Sequence, residues 1–149
     1  MTAHPDMTVH LEVEVELLGR AVKQAQYRHH RALDTALSAV GTSLAQWDAL
    51  RAIGHTPGAS AHSLAVQTFQ SDQAFGVLAN RLASLHLIER RPGRGRRIEH
   101  HLTPEGERLR QAGHQVTVRV LTASFAGLSP QERSALLELL GRLVSTELS

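Results

Sequence analysis

The amino-acid sequence predicts a mainly α-helical chain that carries one small β-hairpin. Apolar residues recur at helical spacing through most of the chain. Between about residues 87 and 103 the pattern changes to two short, partly alternating runs around a Gly-bearing loop, which is typical of a hairpin. Serine, threonine and proline stand where several of the helices should begin.

Length and composition favour one globular domain over residues 1–149. No stretch approaches the roughly 18 consecutive apolar residues that span a bilayer, and the first ten residues lack the pattern of a signal peptide. We therefore expect a cytoplasmic protein with no membrane partner. The sequence contains no cysteine, which excludes disulfides, thiolate metal sites and cysteine-based redox sensing.

Positive charge is concentrated in one short segment. The net charge is only +2, but the pI is about 9.9 because nearly all the cations are arginines. Five of them fall between residues 90 and 97: Arg90, Arg91, Arg94, Arg96 and Arg97. Such a segment suits a polyanion, since each phosphate contact releases counterions. The alternative is a loop that charge merely keeps solvated.

The first helix is predicted over about residues 9–40, with Gly19 as its only internal glycine. A helix of about 30 residues spans about 45 Å, which is longer than a compact domain of this size needs. The pairs Val13/Val15 and Leu17/Leu18 place apolar groups outside a single stripe. This surplus indicates a second helical partner, for example from another subunit.

The next three helices have the spacing of a helix-turn-helix. Ser43 and Gln46 have capping-box spacing at the start of a helix to about Ile53. A short helix follows over about residues 60–67, and Ser71 caps another that runs to about Leu85. The hairpin comes next, then a helix opened by Thr103-Pro104 and a last helix opened by Ser129, Pro130 and Glu132.

Four segments carry a resemblance to a known family when taken together and in order. They are Gly41-Thr-Ser-Leu-Ala-Gln46 with Trp47-Asp-Ala-Leu50; Leu64-Ala65 with Ser71 and Asn80-Arg81-Leu82; Leu87-Ile-Glu-Arg90 with the arginine loop and Leu102-Thr103-Pro-Glu-Gly106; and Leu128-Ser-Pro-Gln-Glu132 with Leu139-Leu140. With this set the chain resembles the MarR family of winged helix-turn-helix transcriptional regulators over nearly its whole length. One departure concerns the wing, because Arg94 stands where the family usually has an aspartate.

The resemblance implies a winged helix-turn-helix DNA-binding lobe over residues 42–103 and a helical dimerisation region over residues 8–40 and 104–149. It implies that the helix from Ser71 enters the major groove and that the wing enters the flanking minor groove. It also implies that a small molecule, often a phenolic or aromatic acid, binds between the lobes and weakens DNA binding. The predicted function is a homodimeric repressor of a pseudo-palindromic operator in double-stranded DNA.

Candidate DNA contacts follow from the chemistry of base edges and phosphates. Glutamine pairs bidentately with adenine, and arginine reaches phosphates or a narrow minor groove. Asp72 either stabilises the start of its helix or accepts a hydrogen bond from cytosine. Gly76 either allows close approach to DNA or is merely tolerated in the helix. Arg81 either binds phosphate or pairs with an acidic side chain. The predicted contacts are Gln70, Ser71, Asp72, Gln73, Gly76, Arg81, Arg90, Arg94, Arg96 and Arg97.

Tyr27, His30 and Trp47 are the candidate ligand-binding residues, although a place in the hydrophobic core is the favoured interpretation for Trp47 and Phe75. Ten histidines are present, but no His-x-x-x-His pair and no thiolate accompany them. We therefore predict no metal site, no cofactor and no catalytic residue. Two alternatives remain: a winged-helix module that binds protein instead of an operator, and a metal-responsive regulator that uses histidine ligands.

Overall fold

The computed structural model describes residues 5–148. In chain order it consists of α1 (Pro5–Ser38), α2 (Leu44–His55), α3 (Ala61–Gln67), α4 (Asp72–Ser84), β1 (Ile88–Pro92), β2 (Ile98–Leu102), α5 (Pro104–Ser124) and α6 (Pro130–Ser145). This order confirms the predicted fold class of a mainly helical chain with a winged helix-turn-helix.

The first helix begins earlier than its apolar pattern indicated. Over the described residues it extends back to Pro5, and Asp6 lies in its first turn. An acid near a helix N-terminus is stabilised by the helix dipole. The helix ends at Ser38, shortly before Gly41, whose φ is +90°.

A hydroxyl side chain caps each of the five later helices. Each capping oxygen accepts a hydrogen bond from a backbone N–H in the first turn; the caps are Ser43, Ser60, Ser71, Thr103 and Ser129. The full capping box at Ser129 and Glu132 is present. At Ser43 only half of the expected box forms, because Gln46 Oε1 accepts from Thr42 Oγ1 at 3.2 Å.

The wing is the antiparallel pair β1–β2, in which Ile88 lies opposite Leu102 and Pro92 opposite Ile98. A short extended segment before α3 lies along the other edge of β2. Gly58 N donates to His100 O at 2.9 Å, and His100 N donates to Ala59 O at 3.2 Å. These bonds attach the wing to the helix-turn-helix, and no periodicity in the sequence indicated them.

The hydrophobic core lies within the winged helix-turn-helix and draws on α2, α3, α4 and β1. Its fully buried large side chains include Leu50, Ile53, Leu64, Phe75 and Leu82. Burying each such side chain contributes about 1.5–3 kcal/mol relative to leaving it in water. Phe75 is therefore a core residue.

A second packing centre joins this lobe to α5. Trp47 is 6% exposed, and its Nε1 donates to Arg110 O at 3.0 Å. The indole lies against Gly113, where a Cβ would come within 2.1 Å of Trp47 Cδ1. The long helices α1 and α5 also pack on each other, with Leu33, Leu37 and Val116 buried.

Between residues 5 and 148 no helix combines the length and the apolar character needed to cross a bilayer.

Gly113→Ala is expected to destabilise the protein, because the added methyl group overlaps the indole of Trp47. Overpacking of this kind typically costs about 1–3 kcal/mol. Chemical denaturation followed by the fluorescence of Trp47, the only tryptophan in the chain, measures the loss directly. Gly127→Ala is the matched control, since its Cβ would meet nothing within 4 Å. Equal stability of the two variants would contradict the packing described above.

Candidate nucleic-acid interface

The helix α4 presents a polar face to solvent and an apolar face to the core. Phe75, Ala79 and Leu82 are buried on the inner face. Among the predicted contacts, Ser71, Asp72, Gln73 and Arg81 are exposed, whereas Gln70 and Gly76 are half-buried. The N-terminal part of α4 therefore carries short polar groups on its accessible side, as base-edge recognition requires.

Asp72 pairs with a histidine of the preceding helix. His62 Nδ1 lies 2.9 Å from Asp72 Oδ1, and both side chains are largely exposed. A carboxylate only accepts hydrogen bonds, so Nδ1 is the protonated nitrogen of this pair. The contact joins the start of α3 to the start of α4, and no sequence pattern indicated it because the residues lie ten positions apart.

No neighbouring group in the chain requires a glycine at position 76. A Cβ at this position would have no heavy atom within 4 Å. A glycine inside a helix costs about 1 kcal/mol relative to alanine. Packing within this chain therefore does not account for the glycine.

The wing arginines divide into two groups. Arg90 Nη1 donates to Asn80 Oδ1 at 2.7 Å, Arg97 Nη2 donates to Gly58 O at 3.0 Å, and Arg91 pairs with Glu89 at 2.7 Å. The bonds of Arg90 and Arg97 join the wing to α4 and to the turn before α3, whereas the Arg91–Glu89 pair lies within β1. The sequence predicted a basic wing but not which of its cations make internal bonds.

At the wing tip, Arg94 and Arg96 are exposed, and over residues 5–148 neither side chain has a hydrogen-bond or ion-pair partner. A tight turn shapes the tip: Gly93 N donates to Arg97 O at 2.8 Å, Arg97 N donates to Arg94 O at 3.3 Å, and Gly95 has a φ of +66°. Such a turn at Gly95 favours glycine. Both guanidinium groups are therefore available to bind an anion.

Arg81, near the C-terminal end of α4, is a third exposed arginine. It lines a surface cavity of about 440 Å³ together with Asp34, Gln46 and Leu85. Asp34 Oδ1 is already an acceptor, because Leu44 N donates to it at 2.8 Å. Arg81 has no bonded acid among the described residues, so its guanidinium is accessible to a phosphate.

Exposed apolar side chains on the helix-turn-helix were missed by the sequence analysis. Val66, Phe69 and Val77 are 61%, 94% and 67% exposed. Phe69 also has a φ of +57°, a conformation that is strained for a bulky residue. In the sequence, these three apolar residues stand at positions outside the apolar pattern that faces the core. That feature could have identified them as exposed.

The three candidate ligand residues do not share one environment. Tyr27 is exposed on α1, where its hydroxyl accepts from Arg31 Nη1 at 3.2 Å and its ring lines a cavity formed by α1 alone. His30 is exposed on the same helix. Trp47 lies in the core between α2 and α5.

His100 is the buried titratable group of the wing. It is 2% exposed, its Nδ1 lies 3.0 Å from Ala59 O, and its ring packs edge-on against Phe75. Burial lowers the pKa of His100 below the usual 6.5, and the nearby charge of Arg90 acts in the same direction, while the bond to Ala59 opposes both. The imidazole is therefore neutral near pH 7 and donates from Nδ1.

In the part of the chain that the structure describes, no three histidine, aspartate or glutamate side chains lie close enough together to hold a metal ion.

Comparison with known proteins agrees with this arrangement. The model of the MarR family matches residues 40–98. A crystal structure of a probable transcriptional regulator from Pseudomonas aeruginosa has a TM-score of 0.76 and 28% sequence identity, with 84% of this chain and 95% of that chain covered. No curated protein gives a significant sequence match.

Two MarR-family structures with bound molecules share the fold. A MarR mutant from E. coli in complex with operator DNA has a TM-score of 0.81 and 22% identity, covering 87% of this chain and 95% of that one. A MarR family protein of Mycobacterium tuberculosis in complex with salicylic acid has a TM-score of 0.69 and 23% identity, covering 85% and 95%.

The fold is thus a winged helix-turn-helix, and the start of α4 with the wing tip is its candidate nucleic-acid interface. Its fold is that of the MarR-family regulators, and its winged helix-turn-helix segment matches the family model. The resemblance seen in the sequence is confirmed.

The stability of the fold is expected to fall with acidification because of His100. A histidine whose folded pKa is lowered contributes stability that is complete above its unfolded pKa and declines as pH falls toward the folded value. When the pH is lowered from about 7.5 to 5.5, the free energy of unfolding should therefore decrease less for His100→Gln than for the parent protein. Thermal or urea unfolding at the two pH values measures the difference.

The control for this experiment is His114→Gln, which changes an exposed histidine of α5. It should retain the parent pH dependence. If His100→Gln also retains it, His100 does not account for the acid sensitivity.

Proposed function

We propose that this protein is a homodimeric transcription regulator that binds an operator in double-stranded DNA and represses transcription until a small aromatic acid releases it. The observation that carries the proposal is the pair of exposed guanidinium groups at the wing tip, in the same winged helix-turn-helix as a helix whose accessible start is polar. Their chemistry suits phosphates, minor-groove edges and base edges.

In this proposal the two elements read adjacent grooves. The start of α4 lies in the major groove, where Gln70 and Gln73 contact base edges. Arg94 and Arg96 reach the flanking minor groove, where narrowing concentrates negative potential. Arg81 contacts phosphate. Arg90 and Arg97 support the wing through Asn80 and Gly58 and strengthen the local field.

Dimerisation is supported by the apolar surface that the single chain leaves in water. The N-terminal half of α1 exposes Leu11, Val13, Val15, Leu17 and Leu18, each more than half exposed. Helix α6 has no buried residue, although it carries Leu137, Leu139, Leu140 and Leu143. Apolar surface of this extent on a soluble chain marks an interface.

A two-fold dimer built through α1, α5 and α6 would place its two α4 helices on successive turns of the duplex, which fits a pseudo-palindromic operator. Sedimentation equilibrium decides the oligomeric state.

We infer no catalytic role, since the serines that the sequence singled out cap helices and the exposed cations suit binding.

Arg96→Ala is expected to weaken operator binding to a similar extent across DNA sequences. The loss of one cationic contact per protomer should also flatten the dependence of log K on log salt by roughly one unit per protomer. Fluorescence anisotropy with duplexes from the region upstream of its own gene, at several salt concentrations, measures both quantities.

Arg119→Ala is the matched control, because it removes an exposed arginine of α5, away from the wing. An unchanged salt dependence in Arg96→Ala would remove this residue from the interface. Failure of the parent protein to bind any duplex at low salt would contradict DNA binding and favour a module that binds another protein.

Release by an aromatic acid is supported by the salicylic acid complex of the Mycobacterium tuberculosis protein. We expect salicylate to raise the dissociation constant for the duplex in the same anisotropy titration, with benzyl alcohol as the uncharged control. Tyr27, His30 and Trp47 stay the candidate ligand residues. An unchanged dissociation constant and an unchanged melting temperature would contradict this ligand class while leaving DNA binding intact.

A further inference from the structure

Val77 occupies the accessible face of α4 and contributes little to the core of its own chain. It is 67% exposed, whereas Phe75, Ala79 and Leu82 fill the buried face. Gln73 lies one turn before it and Arg81 one turn after it, so the three side chains share one face of the helix. Val77 thus lies between two predicted DNA contacts.

Intrachain stability does not account for a valine at this position. A β-branched residue loses side-chain freedom in a helix and is less favourable there than alanine. A single exposed apolar side chain is ordinary on protein surfaces. Here, however, several exposed apolar side chains lie on the helix-turn-helix. One of them, Phe69, has a strained backbone conformation, and its side chain is 94% exposed. Strained residues of this kind cluster at functional sites.

The neighbouring polar side chain is already engaged. Asn80 lies one turn after Val77, and its Oδ1 accepts from Arg90 Nη1 at 2.7 Å. This bond holds the amide of Asn80 toward the wing strand. Asn80 thus keeps only its Nδ2 donors for other partners, and Val77 is the exposed apolar side chain of this turn of the helix.

The major groove offers one apolar group for such a side chain to contact, the C5-methyl of thymine. We propose that Val77 reads this methyl group, so that each half-site of the operator carries a required A·T pair opposite the middle of α4. The inference rests on the proposed function, because it assumes that α4 lies in the major groove. It adds a specificity-determining residue that makes no hydrogen bond to DNA.

The test removes the methyl group from the DNA and the isopropyl group from the protein in turn. In a duplex that the protein binds, each thymine is replaced singly by deoxyuridine, which retains base pairing and lacks only the methyl. For the parent protein, one such replacement in each half-site should weaken binding about fourfold, the effect expected for burial of one methyl group.

Val77→Ala should bind the thymine and deoxyuridine duplexes at that position equally well. The four dissociation constants form a double-mutant cycle, so an effect of deoxyuridine on the shape of the duplex cancels. Phe69→Ser is the matched control, since it removes another exposed apolar side chain of the helix-turn-helix and should keep the parent preference for thymine. The fluorescence of Trp47 verifies that each variant is folded.

The outcomes separate the two proposals. If no duplex binds the parent protein at low salt, the proposed function fails and this inference fails with it. If a duplex binds but no deoxyuridine replacement weakens binding, or if Val77→Ala keeps the same preference, only the role of Val77 is overturned. Loss of the preference in Phe69→Ser instead would assign methyl recognition to the turn before α4.

Discussion

The contact between Trp47 and Gly113 determines how the winged helix-turn-helix is held on the long helices. The indole closes against α5 with no room for a Cβ, and its N–H satisfies the carbonyl of Arg110. Because α5 also packs on α1, this contact helps to set the orientation of the winged helix-turn-helix relative to both helices, together with the close approach of Gly106 in α5 to Leu87 O.

The local parts of the fold could be predicted from the sequence. Helix starts depend on a hydroxyl side chain and a backbone N–H three residues later, so Ser71 and Ser129 identify them directly. The alternation of the hairpin is equally local. By contrast, the pairing of Gly58 and Ala59 with His100 joins residues about 40 positions apart, and no periodicity reports it.

The residue types of the candidate site could be predicted from the sequence. Which of its arginines form bonds within the chain could not. Composition alone showed that arginine dominates the wing. Which arginines bond internally depends on Asn80 and Gly58, whose positions relative to the strands follow from tertiary packing. Trp47 illustrates the same point, since an aromatic residue near a crevice and one in a core have the same sequence signature. Val77 lies outside the apolar pattern that faces the core, and its exposure follows only from the packing of α4.

In the proposed DNA complex, the bond between Asn80 and Arg90 has a consequence for the geometry of the operator. It joins α4 to β1, which also pack on each other, and so limits how far the strand can shift relative to the helix. The distance between a major-groove contact and the flanking minor-groove contact then varies little. An operator with one base pair inserted between these contacts must twist or stretch to restore the distance, at an elastic cost that depends on its sequence. Under the proposed function, the spacing and stiffness of the operator therefore contribute to its recognition as well as the identity of its bases.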